Sequence, residues 1–123
     1  MEIKSFRDLE VWQLSMTLVE QIYQLSESFP PAEKFSLTSQ VRRAAVSIPS
    51  NIAEGHGRSR RSYRYHLGVA RGSEAELQTQ VELAVRLGFT SKEASASAAN
   101  LASRVGMMLN RLIASLGVVD DET

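Results

Sequence analysis

The sequence has no cysteine among its 123 residues, and this absence removes several kinds of chemistry. Without cysteine the chain forms no disulfide, has no thiolate nucleophile and holds no cysteine-ligated metal. Long apolar runs are also missing, because no stretch approaches the roughly 20 residues that a membrane-spanning helix needs. The first eight residues carry charges where a signal peptide has an apolar segment. We therefore expect a cytoplasmic protein that does not enter a membrane.

Histidine is scarce, and its placement argues against catalysis. Four-helix bundles with two-metal sites need Glu-x-x-His steps, but the residues three positions before His56 and His66 are Ala53 and Tyr63. The Gly-x-Ser-x-Gly elbow of serine hydrolases is absent, and the glycines around His56 are too few for a phosphate-binding loop. We predict that the protein is not an enzyme and uses no metal or cofactor.

Helical periodicity is what the sequence does have. Apolar residues recur at three- and four-residue steps in four segments, which predicts helices over about 8–28, from 33 to the glycines at 55–57, over 60–87, and from 90 to the tail at 117. These segments predict an all-α, antiparallel up-down four-helix bundle in one domain, 1–123, with flexible ends at 1–7 and 117–123. The predicted stripes are Trp12, Met16, Val19 and Tyr23, with Leu18, Ile22 and Leu25 beside them; Leu37, Val41, Ala44, Ile48 and Ile52; Leu67, Ala70, Leu77, Val81 and Ala84; and Ala94, Ala98, Leu101, Val105, Met108 and Leu112.

Local signals mark where these helices end or bend. Pro30 and Pro31 stop the first helix, and Pro49 predicts a kink in the second because it removes a backbone hydrogen bond. Gly55 and Gly57 suit the left-handed conformation that ends a helix, and Gly88 ends the third. Thr90-Ser91-Lys92-Glu93 predicts a capping box in which the Thr90 hydroxyl is the cap of the fourth helix.

Positive charge is concentrated in one part of a chain whose net charge is zero. Residues 42–71 hold seven arginines and one glutamate, a net charge of +6, so the rest carries −6. Several of these arginines occupy the first turns of the third helix, where the helix dipole disfavours cations. Guanidinium groups bind phosphates and stack on bases, and tyrosines interleave with them here. The candidate nucleic-acid-binding residues are Arg58, Arg60, Arg61, Arg64, Tyr63 and Tyr65.

The same arginines have two other interpretations. They can form a solvated face that pairs with glutamates of the same or a neighbouring subunit, or they can bind an acidic protein partner. The glutamates available for pairing include Glu20, Glu74, Glu76 and Glu82.

Polar residues also share one face of the second helix, because they follow each other at three- and four-residue steps. This face is either solvated or a hydrogen-bonded seam that fixes the register between subunits. Tyr23, Phe29 and Phe35 either plug such a seam or belong to the bundle core, and we assign Trp12, Met107 and Met108 to the core or an interface. The residues of the candidate seam are Gln40, Arg43, Ser47, Asn51 and Glu54.

Several longer strings resemble a known family, the four-helix bundle proteins encoded in intervening sequences of bacterial 23S rRNA genes, often called the S23 ribosomal protein family. The resemblance covers roughly residues 6–116 and is strongest over Arg42-Arg43-Ala44-Ala45-Val46-Ser47-Ile48-Pro49-Ser50-Asn51-Ile52-Ala53-Glu54-Gly55. It extends to Phe6-x-x-Leu9-x-Val11-Trp12, Phe29-Pro30-x-x-Glu33, Leu37-x-x-Gln40, Arg58, Leu67, Ala70-Arg71-Gly72-Ser73, Glu76-Leu77 and Leu87-Gly88. Ser62 and His66 depart from the Glu and Phe that relatives often have there.

The resemblance implies a four-helix bundle that assembles as a homopentamer around an axis. A related branch, the accessory proteins of diversity-generating retroelements, binds nucleic acid through a basic surface, which favours RNA or DNA as the partner here. We therefore hypothesise a non-enzymatic, pentameric nucleic-acid-binding bundle. The alternative is a scaffold or adaptor for a protein partner, in which the arginines serve subunit contacts, and a ligand carrier is a third possibility.

Overall fold

The computed structural model describes residues 2–117, and this part of the chain is helical with no strand. Its four helices are α1 (Glu10–Ser26), α2 (Leu37–Gly55), α3 (Arg60–Arg86) and α4 (Lys92–Leu116), and short 3₁₀ turns at Phe6–Asp8 and Pro31–Glu33 precede α1 and α2. Each helix packs against its neighbours in the chain, and α1 closes the bundle against α4. The short connections make consecutive helices antiparallel, which confirms the predicted four-helix bundle.

The ends of the chain were predicted to be flexible, and Met1 and residues 118–123 of those segments lie outside the described residues. Near the N-terminal end, the Asp8 carboxylate accepts hydrogen bonds from the backbone N–H groups of Lys4 and Ser5. The Ser5 hydroxyl accepts one from the backbone N–H of Arg7. This capping box closes the first 3₁₀ turn, and the Phe6 ring packs edge-on against Trp12. The turn therefore joins the start of the chain to α1.

The central helices bury the stripes that periodicity predicts. All five predicted α2 residues and all five predicted α3 residues lie in the core, where they are at most 8% exposed. α2 continues through Pro49, which is itself buried within the helix. Burial explains how an interior proline is retained, because packing offsets the missing backbone hydrogen bond. α2 and α3 thus form a well-packed antiparallel pair.

The outer helices match the predicted stripes in part, since Leu18 and Ile22 of α1 and Ala98 and Val105 of α4 are buried as predicted. In α1 the buried side chains are Val11, Ser15, Leu18, Ile22 and Ser26, whereas Met16 and Tyr23 are exposed. In α4 they are Ser95, Ala98, Ala102, Val105, Gly106 and Leu109, and Met107 is exposed. The core assignments of Met16 and Tyr23 were therefore wrong. Small buried residues let the helices approach closely, and the Ser15 and Ser26 hydroxyls donate to backbone carbonyls three residues earlier.

Two loops differ in part from the predictions. Phe29 is buried against Phe89, as expected for the core, but Phe35 is 90% exposed, so its assignment to the core was wrong. The cap of α4 is Ser91, whose hydroxyl accepts a hydrogen bond from the Ala94 N–H, and not Thr90. Gly57 and Gly88 adopt positive φ as predicted, while Gly55 stays helical. Among residues 2–117, no helix is long and apolar enough to cross a membrane.

Candidate nucleic-acid interface

The turn between α2 and α3, residues 56–59, organises the candidate site. The Ser59 hydroxyl caps α3 by accepting a hydrogen bond from the Ser62 N–H at 3.1 Å. Gly55 allows the two helices to touch, since a Cβ there would lie 2.8 Å from the His66 Cβ and 3.2 Å from the Tyr63 Cα. The glycine is therefore required for helix contact, and its predicted left-handed conformation was wrong.

The arginine cluster, which we define as Arg58, Arg60, Arg61 and Arg64, lies at this end of the bundle. Arg58, in the turn, pairs with Glu54 of α2 at 3.0 Å, and both side chains are more than half exposed. Arg64 donates to the Gly117 carbonyl at 3.2 Å, which places the end of α4 beside the start of α3. The negative end of the α4 dipole thereby offsets part of the cost of cations at the start of α3. Arg60 and Arg61 are exposed.

The two tyrosines interleaved with the cluster occupy different environments. Tyr65 is 66% exposed and its ring packs edge-on against His66. Tyr63 is half-buried, packs edge-on against His56, and has a buried hydroxyl with no hydrogen-bond partner among the described residues. Burial raises the pKa of the Tyr63 hydroxyl above its ordinary value of 10.0. Tyr65 is therefore the accessible ring, and Tyr63 supports the α2–α3 contact from beneath.

Part of the predicted polar seam forms a hydrogen-bonded chain between α2 and α3. The Asn51 amide nitrogen donates to the Ser47 carbonyl at 2.9 Å and to its hydroxyl at 3.0 Å, and Ser47 also contacts the Ser73 hydroxyl at 2.8 Å. The Asn51 amide oxygen lies 3.1 Å from His66 Nδ1. Because that oxygen can only accept, Nδ1 carries the proton. The chain links α2 to α3 within one subunit.

The remaining members of the predicted seam lie at its two ends. Gln40 and Arg43 are exposed and border a shallow groove with Ser47, Ser73 and Glu76. Glu54, at the other end, contacts the arginine cluster through its ion pair with Arg58. A continuous polar surface therefore connects the predicted seam to the arginine cluster along α2, and both sets of sequence-predicted residues occupy the α2–α3 side of the bundle.

Two of the seven arginines in residues 42–71 make contacts that join helices. The Arg42 guanidinium lies 4.5 Å over the Tyr23 ring and donates to the Ser26 hydroxyl at 2.8 Å, which ties α2 to α1. Arg71 donates to Glu74 at 2.8 Å and to Asn110 of α4 at 2.9 Å. The Arg71–Glu74 contact is one of the pairs that the solvated-face interpretation offered. The basic segment is thus divided by the fold into structural and exposed arginines.

Sequence reasoning missed the buried carboxylate of Glu74, which is 1% exposed between α3 and α4. Gln78 donates to its second oxygen, and Gly106 of α4 faces it. The sequence held a signal: the α3 stripe jumps seven residues from Ala70 to Leu77, and Glu74 fills the vacant core register. Residues 2–117 contain no group of three or more His, Asp or Glu side chains placed to hold a metal ion.

Comparison with known proteins places this geometry in a family. A search of curated proteins gives no match. Among solved structures, the chain resembles a protein of unknown function from the S23 ribosomal protein family of Bacteroides thetaiotaomicron VPI-5482, with a TM-score of 0.77 and 25% identity over 84% of this chain and 97% of the other. The family model described as 23S rRNA-intervening sequence protein matches residues 7–111. Because this match covers α1, α2, α3 and most of α4, the chain belongs to the 23S rRNA-intervening sequence protein family.

Proposed function

We propose that this protein is a non-enzymatic homo-oligomer, pentameric as the family resemblance implies, that binds nucleic acid in the cytoplasm through the arginine cluster. The observation that carries the proposal is the density of charge: four guanidinium groups lie within seven residues at one end of the bundle, where Arg58 pairs with Glu54. Arginine forks match phosphate geometry, and the exposed Tyr65 ring offers a stacking surface beside them. Repetition around a ring makes a modest patch multivalent.

Salt dependence of binding tests the proposal. If all four arginines of a subunit contact duplex phosphates, the logarithm of the affinity falls with that of the salt concentration with a slope of about −3.6. Raising salt from about 50 to 200 mM then weakens binding roughly 150-fold. Fluorescence anisotropy of labelled RNA and DNA measures this slope, and alanine substitution of the whole cluster is expected to flatten it.

A matched control removes the same charge elsewhere. Its two residues flank the α3–α4 connection at the opposite end of the bundle, and it loses the same charge as the double variant Arg60→Ala, Arg61→Ala, with which it is compared: Arg86 and Lys92, each replaced by alanine. We expect this variant to retain most of the affinity. Equal losses in both variants, or a flat salt dependence in the wild-type protein, would argue against binding at the cluster.

A scaffold that binds a protein partner is the second candidate. It is favoured by apolar side chains left exposed along the helices, since protein interfaces bury such groups. They include Val69, Leu83, Leu87 and Met107. In this function the arginines make subunit contacts, so Arg60→Ala and Arg61→Ala change the mass measured by light scattering while leaving affinity for nucleic acid unchanged. An unaltered mass in both variants counts against the scaffold.

A further inference from the structure

A second basic surface lies at the opposite end of α2 from the arginine cluster. Here α1 and the start of α2 form a groove of about 600 Å³ that sequence analysis did not recognise. Arg43 on its wall stands 11 residues before Glu54, a rise of about 17 Å along the helix. We call this the α1–α2 groove, and its lining residues that matter here are Tyr23, Lys34, Phe35, Arg42 and Arg43.

Phe35 is the unusual feature of the groove, because 90% of its surface is exposed. It sits on a short loop held by hydrogen bonds: the Glu33 N–H donates to the Pro30 carbonyl at 2.8 Å, and the Glu33 side chain accepts from the Leu37 N–H at 3.2 Å. Two prolines restrict the loop further. A phenylalanine displayed on a constrained loop forgoes the stabilisation that burial gives, so a partner that covers the ring is expected.

The charge of the groove identifies the kind of partner. Three cations line it, Lys34, Arg42 and Arg43, and no carboxylate is among the lining residues. Arg43 has no carboxylate partner within residues 2–117, whereas Arg42 already stacks on Tyr23 at 4.5 Å. Lys34 lies 5.4 Å from the centre of the Phe35 ring. An accessible aromatic face between cations fits a base flanked by phosphates.

We infer that the α1–α2 groove binds single-stranded nucleic acid, with one base stacked on Phe35 and the neighbouring phosphates held by Lys34 and Arg43. The inference rests on the proposed nucleic-acid binding and adds its substrate class. Stacking on Phe35 requires an unstacked base, which a single strand supplies and an intact duplex does not. The groove therefore selects single strands, while the arginine cluster contacts phosphates of either form.

Substitutions at Phe35 test the inference in the full chain. The probes are a fluorescein-labelled oligothymidylate and a labelled duplex of the same length, titrated at moderate salt. Phe35→Leu keeps apolar bulk without the aromatic face, and Phe35→Tyr keeps the face. We expect Phe35→Leu to weaken single-strand binding by about 5- to 150-fold, the range for one stacked base, and to leave duplex affinity unchanged. Phe35→Tyr should bind like the wild-type protein.

The outcomes separate this inference from the proposed function. If the cluster variant loses binding while Phe35→Leu binds both probes normally, the groove is not a binding site and the proposed function stands. If the wild-type protein binds neither probe, both fail. An equal loss for single strand and duplex contradicts stacking. A changed mass of Phe35→Leu in light scattering identifies Phe35 as a subunit contact and overturns the inference.

Discussion

At the scale of single residues, the Glu74 carboxylate depends on a residue without a side chain. Glu74 is nearly inaccessible and is held by Arg71 at 2.8 Å. A Cβ at position 106 of α4 would lie 2.6 Å from one Glu74 oxygen and 2.8 Å from its carboxyl carbon. Gly106 thus provides the space for a charged group at a core position. Burial of a carboxylate is tolerated here because the ion pair and the hydrogen bonds satisfy it.

Gly106→Ala is expected to destabilise the protein. The added methyl group displaces the Glu74 carboxylate from Arg71, and overpacking of this kind costs about 1–3 kcal/mol in the free energy of unfolding. Urea denaturation followed by circular dichroism measures the change.

The matched control is Gly72→Ala in α3, where no atom lies within 4 Å of the added Cβ. The substitution then changes only the helix propensity of position 72. Because alanine favours the helix more than glycine does, the free energy of unfolding should rise by about 0.5–1 kcal/mol. If both glycine variants are stabilised, Glu74 does not need the space that Gly106 provides.

At the scale of elements, the start of α4 shows how neighbouring hydroxyls compete for one role. Thr90 and Ser91 are adjacent and both types cap helices. The structure selects Ser91, whose backbone is extended and whose hydroxyl lies 2.9 Å from the Ala94 nitrogen. Gly88, at φ +78°, ends the preceding helix and sets the direction of the loop. The choice is therefore made by the path of the α3–α4 connection.

Ser91→Ala should lower the free energy of unfolding by about 1 kcal/mol, because an early N–H of α4 loses its hydrogen-bond acceptor. Thr90→Ala is the control and should change it by less than about 0.5 kcal/mol. Thermal or urea denaturation of the two variants measures both values. If Thr90→Ala lowered the free energy of unfolding more than Ser91→Ala does, Thr90 would be the cap, as the sequence predicts.

Helix existence was predictable from the sequence, but the orientation of the outer helices was not. The stripes of α2 and α3 are rich in branched apolar residues, so periodicity identified their buried faces. In α1, Met16 and Tyr23 have much larger apolar surfaces than Ser15 and Ser26, yet the serines are buried. Close approach between helices favours small residues, and intrahelical hydrogen bonds satisfy their hydroxyls. The register is therefore set by packing geometry.

At the scale of the whole molecule, a net charge of zero conceals an uneven distribution. The arginine cluster lies at one end of the bundle and the α1–α2 groove at the other, with the Ser47–Asn51–His66 chain between them on α2 and α3. Arg42 and Arg71 instead hold helices together. The basic segment of the sequence thus corresponds to two exposed surfaces and a set of internal contacts.

The stability of the whole molecule is expected to depend on Tyr63 at alkaline pH. Because burial raises its pKa above 10.0 in the folded protein, the unfolded chain loses this proton first. The free energy of unfolding is therefore unaffected by this ionisation below pH 10, and it falls as the pH rises from there through the pKa of folded Tyr63. Tyr63→Phe should remove this part of the alkaline destabilisation, which thermal melts from about pH 8 to pH 11 detect.

At neutral pH the same variant should be more stable by about 1 kcal/mol, because the Tyr63 hydroxyl is buried without a partner among the described residues. Tyr65→Phe, at an exposed position, is the control and should change stability by less than about 0.5 kcal/mol. A destabilised Tyr63→Phe would indicate that its hydroxyl is hydrogen-bonded in solution.

The sequence by itself determined the helices, the bundle, the family and the location of the basic segment, because periodicity, breakers and charge are local properties of the chain. Only the tertiary structure decided which arginines are exposed, that Glu74 is buried against Gly106, and that the exposed Phe35 lines one groove with Lys34 and Arg43. Those facts depend on the rotation of each helix about its axis. That rotation follows from the fit of side chains on facing helices, which no single helix specifies.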